Sequence, residues 1–160
     1  MIKDKITVIE TNIDDLLPLG YENLIDKLFE KGALDAYITP VQMKKSRPAV
    51  LLTVLCKNSF KDKLASVIFE ETPTFGVRFY QVTRCKLARR TETVRTKYGP
   101  VRVKLGSTGG KIKTVSPEYE DCKKLARAIK VPLRRVYEQA KYQFQFRIGG
   151  ERSSKKNARK

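Results

Sequence analysis

Four stretches in the first half of the chain have the hydrophobic pattern of β-strands. In the first, second and fourth, β-branched or aromatic residues are interleaved with polar ones, whereas the third is almost continuously apolar, which is typical of a buried strand. The four stretches are Ile6–Asn12, Ala36–Gln42, Ala49–Cys56 and Val77–Thr83.

Two helical patterns separate these strands. In the first, apolar residues recur at helical spacing, Pro18 is a candidate first residue and Gly32 suits the position after the end. In the second, Ser59 is a candidate N-cap for an apolar face that includes Leu64 and Ile68. The resulting order of elements predicts an α+β fold, a ferredoxin-like split βαβ sandwich (βαββαβ) with helices on one face of an antiparallel sheet.

The second half predicts a β-hairpin and a small C-terminal helical extension. Tyr98-Gly-Pro100 is a turn signal between two short strands, and Ser116-Pro117 and Pro132 are helix starts. Alternating apolar residues at 142–148 predict a further strand. We therefore expect three regions, namely a ferredoxin-like domain (1–90), a hairpin with two helices (91–148) and a disordered basic tail (149–160).

The charge of the chain favours phosphate-bearing partners. Its formal net charge is +17, from 34 basic and 17 acidic residues. The distribution is uneven, because residues 1–36 are net acidic whereas Arg84–Lys104 holds eight basic residues and one acidic residue. Such a field attracts nucleotides, RNA or DNA without choosing among them.

The chain has no histidine and three widely spaced cysteines, Cys56, Cys85 and Cys122. The cysteines therefore do not predict a disulfide framework or a zinc site and fit core packing instead. Any bound metal should sit among oxygens, which favours magnesium or manganese. Neither a signal peptide nor a membrane-spanning stretch is recognisable, so we expect a cytoplasmic protein.

Acidic residues cluster where the first predicted strand meets its loop. Glu10, Asp14 and Asp15 lie within six residues together with Asn12. Adjacent carboxylates repel one another unless a cation lies between them, so this cluster is a candidate hard-metal site. A solvated strand end with a turn at Asp14 or Asp15 is the alternative.

Three other segments could bind phosphate. The loop Lys44-Lys45-Ser46-Arg47 offers two ammonium groups, a hydroxyl and a guanidinium. The segment Thr72–Arg78 adds the Thr74 hydroxyl, and a buried-edge Arg78 would need an anionic partner. The densest basic stretch, which contains Arg90, is either a phosphate-binding surface or the solvated face of a hairpin. Surface exposure without function is the competing interpretation for each.

Several longer motifs resemble one family, the nickel-insertion proteins of nickel-pincer nucleotide cofactor biosynthesis. They occur in order along residues 6–140: Glu10–Asp15, Phe29–Ala36, Thr39–Pro48, Leu51–Cys56, Glu70–Arg78 and Pro117–Cys122. The resemblance implies a CTP-consuming cyclometallase of the lyase class that inserts nickel into pyridinium bisthiocarboxylate mononucleotide, for lactate racemase. Metalation of that ring forms two metal–sulfur bonds and one metal–carbon bond with loss of a ring proton.

The resemblance also implies that family members are longer, with a histidine-rich N-terminal part, and that this chain corresponds to their C-terminal, nucleotide-binding part. On this hypothesis CTP is the co-substrate, Asp14, Asp15 and Glu10 hold a divalent ion (Mg or Mn), and the inserted metal is Ni. No catalytic base is assigned. The residues expected to hold the nucleotide are Lys44, Lys45, Ser46, Arg47, Thr74, Arg78 and Arg90.

An RNA-binding module is the alternative function, because a basic ferredoxin-like sheet is also the frame of the RRM. The third predicted strand, Ala49–Cys56, lacks the aromatic residues of an RRM stacking platform, so nucleic acid is the disfavoured partner. A purely structural role in an assembly is a third option. Open sheet edges favour a homo-oligomer, a trimer or a hexamer, with any of these functions.

Overall fold

The computed structural model describes the backbone of residues 1–15 and 20–157, and side chains as far as Phe146. Pro18, the predicted first residue of a helix, lies outside the described residues. The contacts divide the chain into two compact units, Lys3–Cys85 and Lys86–Lys160, and the latter includes Met1–Ile2. The sequence-based division into a ferredoxin-like domain (1–90) and a hairpin with two helices (91–148) stays a prediction.

The first unit has the predicted order of strands and helices. Its β-strands and α-helices are β1 (Ile2–Ile13), α1 (Gly20–Glu30), β2 (Asp35–Met43), β3 (Arg47–Cys56), α2 (Lys61–Glu71) and β4 (Arg78–Lys86). The strands form one sheet in the order β2-β3-β1-β4, and β3 is antiparallel to both β1 and β2. This is the strand order of a ferredoxin-like sandwich, so the predicted fold class is confirmed.

Alternation along β1 places its side chains on two different faces of the sheet. Ile9 and Ile13 are buried in the core with Leu24 and Leu28 of α1 and Leu64 of α2. Each such side chain contributes about 1.5–3 kcal/mol when it is fully buried. Glu10 and Asn12 consequently lie on the opposite face, away from the helical core.

Gly32 ends the first helix, as predicted. Its φ of +110° belongs to the left-handed region, and the Ala33 amide donates to the Leu28 carbonyl at 3.0 Å. A Cβ atom at this position would come within 2.7 Å of the Phe60 ring. The predicted N-cap of the second helix is wrong, because Ser59 lies in a 3-10 turn (Asn58–Phe60) and α2 begins after Phe60 with no side-chain cap bond.

The second unit is a three-stranded sheet with two helices. Its elements are β5 (Ala88–Thr96), β6 (Gly99–Thr108), β7 (Lys111–Pro117), α3 (Tyr119–Ala128) and α4 (Leu133–Asn157). The strand order is β5-β6-β7, and both pairs are antiparallel. The predicted hairpin is therefore present, and β7 agrees with a short strand that the sequence predicts at Lys111–Val115. Its core joins Val101, Val103 and Leu105 of β6 to Cys122 of α3 and Phe144 of α4.

The predicted strand at 142–148 is wrong, because this segment continues α4. Val136, Ala140 and Phe144 follow one another at intervals of four and are all fully buried, so they form one face of a helix. Tyr142 and Phe146 are exposed and lie on another face. The expected disordered tail, 149–160, reaches outside the described residues, and the backbone of α4 is helical as far as Asn157.

No helix in the described part of the chain is both long and apolar enough to span a bilayer.

Replacing Phe144 should destabilise the protein far more than replacing Phe146. Phe144 is fully buried whereas Phe146 is 69% exposed. We expect Phe144→Ala to lower the free energy of unfolding by about 3–5 kcal/mol, and Phe146→Ala to change it by about 0.5 kcal/mol or less. Chemical denaturation followed by circular dichroism measures both. Equal losses would contradict the helical register of α4.

Asp121 should make stability depend on acid pH. The Arg102 guanidinium donates to this carboxylate at 2.7 and 2.9 Å and lowers its pKa from 3.8 to about 2. A folded-state pKa below the unfolded value stabilises the protein above the unfolded pKa, and this contribution is lost as the pH falls toward 2. The stability gap between wild type and Asp121→Asn should therefore shrink over that range in acid titrations of unfolding. Glu120→Gln is the control, because Glu120 is 74% exposed. A gap that stays constant down to pH 2 would refute the assignment.

Candidate functional site

Three of the predicted segments meet at one end of the four-stranded sheet. The register pairs Ile13 with Val50 and Met43 with Arg47, so the end of β1 lies beside the β2–β3 hairpin loop. β4 is the other neighbour of β1, and its first residue, Arg78, contacts the β1 side chains Glu10 and Asn12. The order of the strands thus brings residues 10–15, 44–47 and 74–78 to the same end of the sheet.

The hairpin loop is shorter than the sequence predicts. β2 extends to Met43 and β3 begins at Arg47, which leaves only Lys44, Lys45 and Ser46 in a 3-10 turn. Lys45 and Ser46 have φ values of +60° and +55°. This left-handed conformation costs non-glycine residues roughly 1–2 kcal/mol each. All three side chains are exposed. The turn therefore presents two ammonium groups and a hydroxyl to solvent at the end of the sheet.

Glu10 is the centre of a polar cluster on the face of the sheet opposite the helices. Its carboxylate accepts from Arg78 Nε at 3.0 Å and from the Tyr80 hydroxyl at 2.7 Å. The Arg78 guanidinium also donates to Asn12 Oδ1 at 3.2 Å through both terminal nitrogens. The hydrogen bond to Glu10 is the main cause of the raised pKa of Tyr80, which therefore remains a donor. Arg78 has the anionic partner that the sequence required, although its side chain is 53% exposed.

Asp14 directly follows β1 and pairs with the hairpin. Arg47 Nη1 donates to Asp14 Oδ2 at 3.3 Å, and the two side chains are 61% and 30% exposed. Two predicted phosphate ligands, Arg47 and Arg78, are thus paired with two predicted metal ligands, Asp14 and Glu10. These four charges neutralise one another in pairs.

The loop before β4 is held to β1 by hydroxyl groups. The Thr11 and Thr74 oxygens are 2.6 Å apart, and both hydroxyls lie within hydrogen-bonding distance of the Gly76 carbonyl, at 2.8 and 3.1 Å. The buried Thr72 hydroxyl donates to the Ile68 carbonyl at 2.7 Å. These bonds give the loop a defined shape around Phe75, whose side chain is wholly exposed.

Two predicted site residues lie apart from these pairs. Asp15 is exposed, and after burial its charge is the second cause of the raised pKa of Tyr21. Arg90 belongs to β5 of the second unit, where it pairs with Glu92 at 2.9 Å. Within the described residues, no group of three acidic, histidine or cysteine side chains is arranged to hold a metal ion. The metal and nucleotide assignments therefore stay predictions.

Sequence reasoning did not assign roles to Thr11, Asn12, Phe75 or Tyr80. Asn12 and Phe75 stood within segments already singled out, and an aromatic residue in a polar loop is a signal that could have been used for Phe75. Thr11 and Tyr80 carry no comparable local signal, because their contacts join β1 to residues more than 60 positions away.

The cysteines only partly match the expectation of core packing. Cys56 and Cys122 are buried, and burial raises the pKa of both thiols. Cys85 is exposed near the end of β4, so the expectation is wrong for it.

Comparison with known proteins gives one consistent family. The family model described as "Nickel insertion protein" matches residues 1–137. Pyridinium-3,5-bisthiocarboxylic acid mononucleotide nickel insertion protein from Acetivibrio thermocellus is 49% identical over 139 residues, which are 86% of this chain and 33% of that protein. The protein of the same name from Desulfitobacterium hafniense (strain DCB-2) is 46% identical over 133 residues, 83% of this chain and 33% of that protein.

Solved structures agree with the sequence comparison. The structure of LarC2, the C-terminal domain of a cyclometallase involved in the synthesis of the NPN cofactor of lactate racemase, has a TM-score of 0.86 and 40% identity, and covers 90% of this chain and 99% of that one. Protein MK0293 from Methanopyrus kandleri AV19 has a TM-score of 0.62 and 26% identity, covering 86% and 87%. The chain spans about a third of the length of the curated relatives it matches. With this family match and these identities, the chain belongs to the nickel insertion protein family.

Proposed function

We propose that this chain is the CTP- and divalent-metal-binding C-terminal part of a cyclometallase that inserts nickel into pyridinium bisthiocarboxylate mononucleotide. The observation that carries the proposal is the convergence of three predicted segments at one end of the sheet. The names of the relatives and of the similar C-terminal domain support the reaction. The nucleotide is inferred from the resemblance and from the basic groups at this end of the sheet.

Charge exchange explains how the site receives a triphosphate. Arg47 and Arg78 are each held by one carboxylate, at 3.3 and 3.0 Å, and both guanidinium groups are more than half exposed. An exposed pair of this kind contributes at most about 1 kcal/mol, so phosphate oxygens can replace the carboxylates at low cost. Lys44 and Lys45 make no ion pair within the described residues and add charge from the hairpin loop.

The same exchange supplies the divalent ion with ligands. Magnesium in nucleotide sites is held by one or two carboxylates together with phosphate oxygens and water. Asp14 and Glu10 become available as their arginines turn to the phosphates. Glu10 belongs to β1, and Asp14 directly follows that strand. The oxygen donors of the site therefore fit Mg or Mn, with Asp15 as an additional candidate.

Phe75 is suited to cover the nucleobase. Its ring is wholly exposed, so both faces are accessible to a base. Thr74, one residue away, is a predicted phosphate-binding group and is hydrogen-bonded to β1. Stacking of the ring on cytosine would add affinity beyond the contacts to the phosphates.

Other parts of the reaction belong to the longer enzyme of which this chain would be one part. We propose that the longer enzyme contributes a histidine-rich N-terminal part and that complete nickel insertion requires both parts. A cytoplasmic location and assembly into a trimer or hexamer complete the proposal. The sheet supports assembly because β2 and β4 are its outer strands.

Removing the basic groups of the hairpin loop should weaken CTP binding. In calorimetric titrations with Mn or Mg present, Lys44→Ala/Arg47→Ala should lower the affinity by at least about tenfold, because charge-assisted hydrogen bonds contribute about 1.5–3 kcal/mol each. Adding EDTA should weaken the binding of CTP to the wild-type protein. The effect of EDTA should be smaller in the variant Glu10→Gln/Asp14→Asn.

Lys57→Ala/Lys63→Ala is the matched control, because it removes two exposed cations of the first unit away from this loop. ATP, UTP and a short single-stranded RNA serve as competitors. Unchanged CTP affinity in the loop variant, or salt-sensitive RNA binding in place of CTP binding, would overturn the proposal.

A tryptophan at position 75 should report the nucleobase directly. The chain contains no tryptophan, so Phe75→Trp introduces a single indole reporter. We expect CTP to quench its fluorescence with the affinity found by calorimetry, and Phe75→Ala to weaken binding by about tenfold. Phe69→Trp on α2, at a side chain that is 47% exposed, is the control and should not respond. If CTP binds without quenching the fluorescence of Trp at position 75, the proposed contact between Phe75 and the nucleobase is wrong.

A further inference from the structure

A groove of about 330 Å³ lies on the second unit, where the turn between β5 and β6 meets α4. None of its lining residues is among those assigned to CTP, and all of them belong to the second unit. The lining residues are Lys97, Tyr98, Arg135, Glu138, Gln139 and Tyr142.

The groove contains two cations that no described carboxylate neutralises. Several cations of the basic stretch noted in the sequence are instead paired with carboxylates of the second unit. The pairs are Arg90 with Glu92, Arg102 with Asp121 and Lys104 with Glu118, at 2.7–2.9 Å. Lys97 and Arg135, by contrast, form no ion pair with any side chain that the structure describes. The charges of Lys97 and Arg135 are thus available in the groove.

The single acid of the groove does not cancel this charge. Glu138 forms an ion pair with Arg134, which lies outside the lining, and Arg134 Nε is 2.6 Å from Glu138 Oε1. The Lys97 ammonium is held 5.1 Å from the centroid of the Tyr98 ring. A cation over an aromatic face is restrained without being neutralised. The groove therefore offers two positive groups to an anion.

An exposed aromatic wall stands beside these cations. Tyr142 is 58% exposed, and its ring stacks on Phe146 one helical turn further along α4, with centroids 6.3 Å apart and ring planes at 24°. This contact leaves the other face of Tyr142 for a ligand. The neighbouring Gln139 amide can both donate and accept a hydrogen bond.

We propose that this groove binds an aromatic mononucleotide, with its phosphate on Lys97 and Arg135 and its ring against Tyr142. The volume is at the lower end of the range of about 300–1,000 Å³ for ligand pockets, which is room for one nucleotide. The assignment rests on the proposed function, in which the substrate is a pyridinium mononucleotide with further anionic groups. A cationic ring is attracted to a tyrosine face, and the anionic groups are attracted to the arginine and the lysine.

Nicotinic acid mononucleotide is the probe, because it carries a pyridinium ring, a carboxylate and one phosphate. In calorimetric titrations of the whole chain, Lys97→Ala/Arg135→Ala should lower its affinity by at least tenfold, and Tyr142→Ala by about tenfold. Tyr142→Phe, which keeps the ring, should retain binding. The matched control, Lys111→Ala/Lys113→Ala, removes two exposed cations of β7 outside the groove and should bind like wild type.

The outcomes separate this site from the CTP site. Lys97→Ala/Arg135→Ala should leave CTP affinity unchanged, and Lys44→Ala/Arg47→Ala should leave mononucleotide affinity unchanged. Binding of the mononucleotide without binding of CTP would support the groove and contradict the proposed function. Binding of CTP without binding of the mononucleotide would contradict the groove assignment alone. Inorganic phosphate that competes as well as the mononucleotide, or a short single-stranded RNA that binds more tightly, would also overturn the assignment.

Discussion

The interior position of β1 is the constraint on which the first unit depends. β1 lies between β3 and β4, so its side chains must serve both faces of the sheet. Ile9 and Ile13 are buried against the helices, which leaves Glu10 and Asn12 for the opposite face. Because β4 starts where β1 ends, Arg78 meets these two polar groups. The same alternation that builds the core therefore builds the candidate site.

In the absence of a ligand, the arginines and carboxylates of the candidate site balance one another's charge. Arg47 with Asp14, and Arg78 with Glu10, are exposed pairs that contribute little to stability. Their weakness suits a site in which both members exchange partners on binding. The left-handed residues Lys45 and Ser46 indicate that the hairpin loop is held under strain, a feature that often accompanies function.

In the second unit, some cations are paired with carboxylates and others are not. Arg102 and Asp121 form a close pair that joins β6 to α3, and the low pKa of the aspartate reflects it. Lys97 and Arg135 lack such partners within the described residues and lie together in a groove with Tyr142. Net charge is thus a poor guide to a binding surface until pairing shows which cations remain available.

The sequence by itself determined the order of strands and helices, the ferredoxin-like class and the segments that contain the site, because alternation, helical spacing and glycine or proline positions are local. It failed at 142–148, where apolar alternation is compatible with a strand, whereas the burial of Phe144 beside Ala140 requires a helix. Only the tertiary structure decided that Glu10 meets Arg78 and Tyr80, and that Lys97 and Arg135 line one groove. Those pairs are distant along the chain, and sheet order and helix packing, which no local pattern encodes, bring them together.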